Sequence, residues 1–299
     1  MKILLLGKNG QVGWELQRAL APLGQVIAPR RDATAPFSGD LANIDALAGS
    51  VRSIAPDVIV NAAAYTAVDR AESEPELAHV VNGLAPGVLA RESAALGAWL
   101  VHYSTDYVFD GTGTTPWTEN APTGPLNVYG RTKLEGEDGI RASGCRHLIF
   151  RTSWVYAARG NNFPRTMLRL AAERDSLGVI DDQFGAPTGA DLLADITAHA
   201  LRTVRNERGL SGTYHVAAAG ETTWHAYASR VIDVARASGQ PVKVSQDAIR
   251  PIPSRSFPTP AKRPANSRLD TRKLRCAFDL ALPDWTSGVD RLLDELLER

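Results

Sequence analysis

The chain is poor in cysteine and has no excess of charge of either sign. Only two of its 299 residues are cysteine, Cys145 and Cys276, and they stand in no metal-ligand spacing. Two isolated cysteines are typical of a protein from a reducing compartment. Basic and acidic residues number 33 each, so the net charge is zero. Nucleic-acid binding and anionic-membrane binding are disfavoured, because proteins of those classes carry a basic excess.

The sequence also lacks a long apolar run. The apolar start at Ile3 to Leu6 ends at Gly7-Lys8, which is short of the ~7–15 residues of an export signal. No stretch approaches the ~20 apolar residues of a membrane span. We therefore expect a cytoplasmic protein without a membrane partner.

Short apolar runs alternate with segments of helical period. In the first half of the chain, strands are expected at 3–6, 26–28, 58–60, 99–103 and 147–150, with helical crossovers between them. This alternation is typical of βαβ units and a parallel sheet. At ~150 residues per domain, the length also indicates two domains. The predicted fold class is α/β, with a Rossmann-type doubly wound parallel sheet and a smaller α/β domain.

A glycine-rich turn directly follows the first predicted strand. Gly7, Gly10 and Gly13 form the pattern G-x-x-G-x-x-G. Glycines at this place allow a tight turn and let backbone N–H groups approach a pyrophosphate at a helix N-terminus. A Walker-type phosphate loop would need its lysine at the end of the turn, whereas Lys8 follows the first glycine. The turn predicts a dinucleotide site.

The residues after the second strand, Arg30-Arg31-Asp32, are the candidates for contact with the adenosine ribose. An acid about 20 residues beyond the glycine turn favours NAD, whereas arginine accommodates the 2′-phosphate of NADP. Both are present, and a solvated turn is a further interpretation. The choice between NADH and NADPH stays open.

Three residues form a candidate catalytic set. Thr105 follows the fourth strand, at the carboxyl edge of the sheet. Tyr129 and Lys133 stand at i and i+4, on one face of a predicted helix. A nearby cation lowers the pKa of tyrosine from about 10, and such a tyrosine donates a proton to a carbonyl oxygen as hydride reaches the carbon. The i, i+4 spacing alone is equally typical of two exposed side chains on a surface helix. The position of this pair after a nucleotide turn and a strand ending in Ser-Thr favours catalysis.

These motifs assign a role to each half of the chain. We expect an NAD(P)-binding domain over residues 1–150 and a mainly substrate-binding domain over 151–299. A segment at about 177–205 is expected to return to the first domain. In the second half, helices are expected near 162–173, 189–204 and 223–238, strands near 177–180 and 213–218, and a proline-rich loop at 251–264.

The motifs together resemble the extended short-chain dehydrogenase/reductase superfamily. Within it, the strings at 10–13, 61–72, 104–111, 185–188 and 263–267 are similar to the dTDP-4-dehydrorhamnose reductases. The resemblance covers essentially the whole chain. It implies NAD(P)H-dependent reduction of the 4-keto group of dTDP-4-dehydro-L-rhamnose to dTDP-L-rhamnose, a precursor of cell-surface polysaccharide.

The resemblance also implies where the ligands bind. Catalysis falls to Thr105, Tyr129 and Lys133, with the lysine holding the nicotinamide ribose and lowering the tyrosine pKa. The cofactor-binding set is Gly7, Gly10, Gln11, Val12, Gly13, Arg30, Asp40, Leu41, Ala62, Ala63, Ala64, Tyr129 and Lys133. The substrate-binding set is Thr105, Asp106, Trp154, Asn162 and Arg263.

Three carboxylates match positions at which some family members bind Mg²⁺ across a dimer interface. They are Glu15, Asp191 and Asp195, and oxygen ligands suit this hard cation. Solvated surface acids are an equally good interpretation. A Mg²⁺ site and a homodimer are therefore expectations of the resemblance only.

Two other functions stay open. Relatives of this fold serve as non-catalytic NADP-binding regulatory subunits, and others are sugar-nucleotide dehydratases or epimerases. The dehydratases carry Asp-Glu after the threonine, whereas here Asp106 is followed by Tyr107. A single carboxylate at this place favours simple carbonyl reduction.

Overall fold

Parallel strands form the central layer of the protein. The computed structural model describes residues 1–31 and 36–297. Within these residues the strands are, in chain order, β1 (Lys2–Leu6), β2 (Gln25–Ile27), β3 (Val58–Asn61), β4 (Trp99–Thr105), β5 (Arg146–Thr152), β6 (Val155–Tyr156), β7 (Leu177–Ile180), β8 (Phe184–Gly185), β9 (Thr188–Gly189), β10 (Gly212–His215), β11 (Thr222–Thr223) and β12 (Ile249–Ile252). The central sheet has the order β10-β5-β4-β3-β1-β2, with every pair parallel.

Helices cover both faces of this sheet. Those of the described residues are α1 (Gln11–Leu20), α2 (Ile44–Ile54), α3 (Val68–Ala71), α4 (Pro75–Ala78), α5 (Ala85–Leu96), α6 (Val128–Ala142), α7 (Phe163–Glu173), α8 (Ala190–Val204), α9 (Trp224–Ala237), α10 (Arg272–Phe278) and α11 (Trp285–Leu296). A π-helical turn at His79–Leu84 joins α4 to α5. The helical crossover expected between the third and fourth strands is therefore present, with a local change of pitch at its start.

The first strand shows why the sheet is buried on both sides. Ile3 and Leu5 belong to an apolar cluster with α1 and α8, whereas Leu4 and Leu6 belong to a second cluster with α2 and α5. Successive side chains of a strand point to opposite faces, so a continuous apolar run is what a doubly covered parallel strand requires. The predicted Rossmann-type α/β fold is confirmed.

The strand order reverses at β1, which has β2 on one side and β3 on the other. In open α/β sheets, ligands bind beyond the carboxyl ends of the strands at such a reversal. The turn after β1 and the segment after β3 meet at this point.

A third apolar cluster lies in the second half of the chain. It is built on α7, α9 and α11, with Tyr227, Val231 and Leu293 among its buried members. Short strand pairs join parts of this half, namely β6 with β9, β8 with β11, and β7 with β12. The division into domains at residue 150 stays a prediction.

We expected the segment 177–205 to return to the first domain, but its first strand, β7, is not part of the central sheet. β7 pairs with β12 outside the central sheet, while α8 and β10 make the return, since β10 adds to β5 as the sixth strand. A run of four apolar residues predicts a strand but not its partner. The proline-rich stretch 251–264 also begins inside β12, where a two-stranded pair tolerates Pro251.

Candidate active site

A cleft of about 880 Å³ opens at the carboxyl ends of β1, β3, β4 and β5. It brings together most of the residues predicted for the site: Gly7, Gly10, Gln11, Val12, Arg30, Asp40, Leu41, Ala62, Ala63, Ala64, Thr105, Asp106, Tyr129, Lys133 and Trp154. Among the predicted cofactor- and substrate-binding residues that the structure describes, Gly13, Asn162 and Arg263 lie outside the cleft lining. Asp32 lies outside the described residues.

Two glycines of the turn, Gly7 and Gly13, leave no room for a side chain. Gly7 has φ +84°, and a Cβ there would stand 2.6 Å from the backbone nitrogen of Ala63. A Cβ on Gly13 would stand 2.0 Å from the Gly7 carbonyl oxygen. Gly10 is the N-cap of α1 and offers no side chain to the first-turn N–H groups. Those N–H groups, with the positive end of the helix dipole, suit a pyrophosphate.

We expect Gly13→Ala to weaken NADPH binding at least about tenfold, because the added methyl group pushes α1 away from the turn at a cost of roughly 1–3 kcal/mol. The dissociation constant from fluorescence titration measures this. Gly49→Ala is the control, since a Cβ at Gly49 in α2 meets nothing within 4 Å. Equal affinities in the two variants would contradict a role of the close contact.

Three basic residues line the cleft near the glycine turn and after β2. Lys8, Arg30 and Arg31 line it together with Asp40. The Arg31 Nε lies 3.4 Å from the Asp40 Oδ1, and Arg31 is largely exposed. Lys8 is a residue that sequence reasoning considered only as an argument against a phosphate loop. Its position beside the glycine turn places a positive charge near the expected phosphates.

The segment after β3 is held by Asn82, which sits in the π-helical turn. The Asn82 Oδ1 accepts a hydrogen bond from the Tyr65 N–H at 2.8 Å, and its Nδ2 donates to the Tyr65 carbonyl at 3.0 Å. Asn82 is 1% exposed. It fixes the course of Ala62 to Tyr65 along the cleft, and no sequence motif had indicated it.

Tyr129 lies in the first turn of α6, and the local sequence sets where that turn begins. Asn127 caps the helix by accepting a hydrogen bond from the Gly130 N–H at 2.8 Å. A Cβ on Gly130 would stand 2.2 Å from the Tyr107 carbonyl oxygen, so this glycine lets α6 approach the end of β4. The Tyr129 ring meets Tyr107 edge to face, with 5.6 Å between centroids.

Burial raises the pKa of Tyr129 to about 12, although a hydrogen bond with Thr105 acts in the opposite direction. The net shift in the protein alone is therefore opposite to the lowering expected from Lys133. Tyr129 keeps its proton at neutral pH. Thr105 is 5% exposed, and its Oγ1 also accepts a hydrogen bond from the Tyr107 N–H at 3.1 Å.

Lys133 is buried at the floor of the cleft with 1% of its surface exposed. Its Nζ donates to the Tyr103 carbonyl at 2.6 Å and lies 3.2 Å from His102 Nε2. Burial lowers the pKa of Lys133 to about 8, while the charge of Glu137 raises it. The lysine is thus held against β4, one helical turn from Tyr129.

Three buried oxygen atoms of the cleft wall have no hydrogen-bond partner among the described residues. They belong to Asp106, Thr152 and Ser153. Burial raises the pKa of Asp106 to about 7, although hydrogen bonds with Ser267 and Thr105 lower it. Buried polar atoms are normally paired, so these atoms suit a polar ligand. Thr152 and Ser153 were missed, although they end β5 at the same sheet edge.

Trp154 reaches the cleft from an unusual backbone conformation, with φ +48°. Its ring stacks on Trp224, with 3.7 Å between centroids and 17° between planes. A Cβ on Gly185 would stand 2.7 Å from the Trp154 ring. Trp224, directly after β11, also lines the cleft. No sequence pattern had indicated that it would.

Two residues of the predicted substrate set have other contacts. Asn162 caps α7, and its Nδ2 donates to the Gln11 Oε1 at 3.0 Å, which places it against the glycine turn. Arg263 pairs with Asp69 at 2.9 Å.

The three expected Mg²⁺ ligands form ion pairs with arginines, and only Glu15 and Asp195 share a partner. Glu15 and Asp195 both pair with Arg18, whereas Asp191 pairs with Arg291 at 3.3 Å. No group of three or more His, Cys, Asp or Glu residues that could hold a metal ion occurs within 1–31 and 36–297. Each of the three acids thus has an arginine as its ion-pair partner, and the residue spacing on α8 could not reveal these partners.

Known proteins are similar to this chain over nearly its whole length. The family model described as the RmlD substrate binding domain matches residues 1–298. A dTDP-4-dehydrorhamnose reductase of Escherichia coli strain K12 is 56% identical over 296 residues, which are 99% of this chain and 98% of the relative. The chain belongs to the dTDP-4-dehydrorhamnose reductase family.

Two further members of the family extend the comparison. The dTDP-4-dehydrorhamnose reductase of Burkholderia thailandensis is 50% identical over 303 residues and 100% of both chains. The crystal structure of the Bacillus anthracis dTDP-4-dehydrorhamnose reductase in complex with NADP has a TM-score of 0.87 and 34% identity, covering 98% of this chain and 99% of the other. No helix among the described residues has the length and apolar character needed to span a membrane.

Proposed function

We propose that this chain reduces the 4-keto group of dTDP-4-dehydro-L-rhamnose to give dTDP-L-rhamnose, with NADPH or NADH as the hydride donor. One observation carries the proposal: Thr105, Tyr129 and Lys133 meet in the same cleft as the glycine turn. Membership of the family over essentially the whole length supports the choice of substrate.

The cofactor site fits a dinucleotide, because the N-terminus of α1 lies beside the cleft without a side-chain cap, and a helix N-terminus binds phosphate groups. A reduced nicotinamide, when bound, supplies the hydride that the carbonyl carbon takes up. Tyr129 donates its phenolic proton to the carbonyl oxygen, so the keto group becomes a hydroxyl. The raised pKa of Tyr129 keeps that proton in place until it is transferred.

Other residues orient the reactants. Thr105, at the end of β4, binds the same carbonyl oxygen through its hydroxyl group. Lys133 holds the nicotinamide ribose, and Asp106 and Trp154 contact the sugar nucleotide. Asp106 is followed by Tyr107, so the wall beside Thr105 has one carboxylate, which suits reduction without the second proton transfer of a dehydratase.

We further propose that Arg30 and Arg31, with Lys8 nearby, bind the 2′-phosphate of NADPH. Arg30→Ala is expected to raise the Kd for NADPH about tenfold, because the hydrogen bond to a charged group is lost at an exposed position. The Kd for NADH, which lacks that phosphate, is expected to stay within about twofold. Parallel titrations with both cofactors test this, and equal losses for both would contradict a contact with the phosphate.

The test of the function is a coupled measurement of substrate and cofactor. Purified protein is mixed with enzymatically generated dTDP-4-dehydro-L-rhamnose, and the ultraviolet absorbance of NADPH or NADH is followed. We expect the absorbance to fall and dTDP-L-rhamnose to appear in equal amount. A changed sugar without net loss of NAD(P)H would indicate a dehydratase or epimerase. Cofactor binding without turnover, with a large co-purified partner, would indicate a regulatory subunit.

The same assay with Mg²⁺ and with EDTA tests the expected metal dependence, which the described residues do not support.

We propose a cytoplasmic location, because both cysteines are free thiols. A homodimer is a proposal from the family resemblance. Size-exclusion chromatography with light scattering measures the oligomeric state.

A further inference from the structure

Two stacked indole rings form one wall of the cleft. Trp154 and Trp224 both line it, and their rings stack with 3.7 Å between centroids and 17° between planes. The pairing of β8 with β11 brings them together, since Thr222 stands opposite Gly185 and Gly185 lies directly against the Trp154 ring. Segments far apart in the chain thus build a single aromatic surface.

The ring of Trp224 is fixed from outside the cleft. Its Nε1 donates to the Gln183 Oε1 at 3.1 Å, and the Gln183 Nε2 donates to the Ser254 Oγ at 2.9 Å. Gln183 is 5% exposed and is not part of the cleft lining. Phe163 packs on the same ring, with 4.6 Å between centroids. Because the only hydrogen-bond donor of an indole is its N–H, the Trp224 ring offers the cleft an apolar surface.

The indole wall stands beside the proposed reaction centre. β4 and β5 are parallel neighbours, and Thr105 is the register partner of Thr152. Trp154 is therefore the second residue beyond the partner of Thr105. In the proposed function the Thr105 hydroxyl group binds the keto oxygen. A substituent on a carbon next to the keto carbon then comes within reach of the indole wall.

The two neighbours of the keto carbon C4 differ in polarity. In the proposed substrate, C3 carries a hydroxyl group and C5 carries a methyl group. A buried hydroxyl group needs a hydrogen-bond partner, whereas a methyl group is stabilised by apolar contact. Asp106 and Ser153 supply buried oxygen atoms without a partner, and Trp224 supplies apolar surface. Only C3 at the oxygens and C5 at the rings leaves no polar group unpaired.

We propose that Trp224 is a specificity-determining residue, whose ring, stacked on Trp154, receives the methyl group on C5 and disfavours a sugar with a CH₂OH group there. The inference rests on the proposed function, because it takes the keto oxygen to be bound at Thr105. The Trp224 N–H is already bound by Gln183. A hydroxyl group on C6 therefore gives up its hydrogen bonds to water and finds no replacement at this ring.

The experiment compares two sugar nucleotides that differ only at this position. dTDP-L-rhamnose has a methyl group on C5, and synthetic dTDP-L-mannose has CH₂OH there. Each is oxidised in the reverse direction: the C4 hydroxyl becomes a ketone, hydride passes to NADP⁺, and a proton is released. We expect the native protein to prefer dTDP-L-rhamnose about 10- to 100-fold in kcat/KM, the scale for an added hydroxyl group in an apolar pocket. Equal values would overturn the proposal.

Two substitutions separate the ring from its N–H group. Trp224→Gln removes the ring and supplies an amide for a hydroxyl group on C6, so we expect the preference to fall to within about threefold. Trp224→Phe keeps a ring and gives up only the bond to Gln183, and it is expected to keep most of the preference. An unchanged preference in Trp224→Gln, or an equal loss in Trp224→Phe, would show that the ring does not decide it.

The matched control is Trp285→Gln in α11. Trp285 packs edge to face on Tyr227, with 5.7 Å between centroids, and it is not part of the cleft lining. The native preference is expected to persist in this variant. If Trp285→Gln lost the preference as Trp224→Gln does, the effect would come from the aromatic cluster as a whole, and the role of Trp224 would be wrong.

Binding measurements keep this inference separate from the proposed function. Calorimetric titrations of the native protein use the same two sugar nucleotides with NADPH, which cannot oxidise them. We expect the Kd of dTDP-L-mannose to be at least about tenfold higher, and equal Kd values would overturn the methyl preference. Absence of oxidation of dTDP-L-rhamnose would contradict the proposed function, while the ratio of Kd values would still decide the preference. That native ratio also decides it if a Trp224 variant does not fold.

Discussion

Tyr129→Phe is expected to lower kcat at least about 100-fold, because it removes the proton that the keto oxygen takes up. This corresponds to about 2.7 kcal/mol of transition-state stabilisation. The fold is expected to persist, since the ring keeps its edge-to-face contact with Tyr107. Steady-state kinetics with saturating cofactor and substrate measure the loss.

The control for this variant is Tyr214→Phe, which removes a hydroxyl far from the cleft. The Tyr214 Oη donates to the Leu210 carbonyl at 2.9 Å on the outer strand β10. Native turnover is expected there. Near-native turnover in Tyr129→Phe as well would show that another group donates the proton, and the assigned mechanism would be wrong.

Arg151→Met is expected to lower the free energy of unfolding by about 3–5 kcal/mol, because it leaves a buried carboxylate without its main partner. Arg151 and Glu137 have side chains that are 3% and 0% exposed. The Arg151 Nε and Nη2 bind the two carboxylate oxygens of Glu137 at 2.9 Å and 2.6 Å. Hydrogen bonds and the charge of Arg151 hold the pKa of Glu137 low despite burial.

Urea unfolding followed by circular dichroism measures this loss. The comparison is Arg169→Met, which breaks a pair with Glu173 on α7 whose side chains are 60% and 50% exposed. Such exposed pairs contribute about 0–1 kcal/mol. Similar losses in the two variants would mean that burial does not decide the contribution of the Arg151 pair.

Much of the first half of the chain was predictable because its signals are local. The run of one isoleucine and three leucines in β1 needs cover on both faces. No residue larger than glycine fits at Gly7 and Gly13, where backbone atoms come very close. The i, i+4 spacing of Tyr129 and Lys133 likewise follows from helix geometry. These features require only a few neighbouring residues, so the sequence alone indicates them.

Some features depend on contacts between residues far apart in the chain, which the sequence pattern does not show. The pairing of β7 with β12 joins segments about 70 residues apart, and a short apolar run carries no record of its partner. Glu15 and Asp195 meet Arg18 because α8 packs on α1. The spacing within α8 could not reveal that cation, so a metal site was a reasonable but unsupported expectation.

The sequence by itself predicted the fold class, the glycine turn and the candidate catalytic set, since each depends on local backbone geometry or periodicity. Only the tertiary structure decided the ionisation of that set. The pKa of Tyr129 rises and that of Lys133 falls because the surrounding strands remove water from both groups. It also decided that His102 contacts both Asn61 and Lys133, because neighbouring strands and a crossover helix bring distant residues into hydrogen-bond contact.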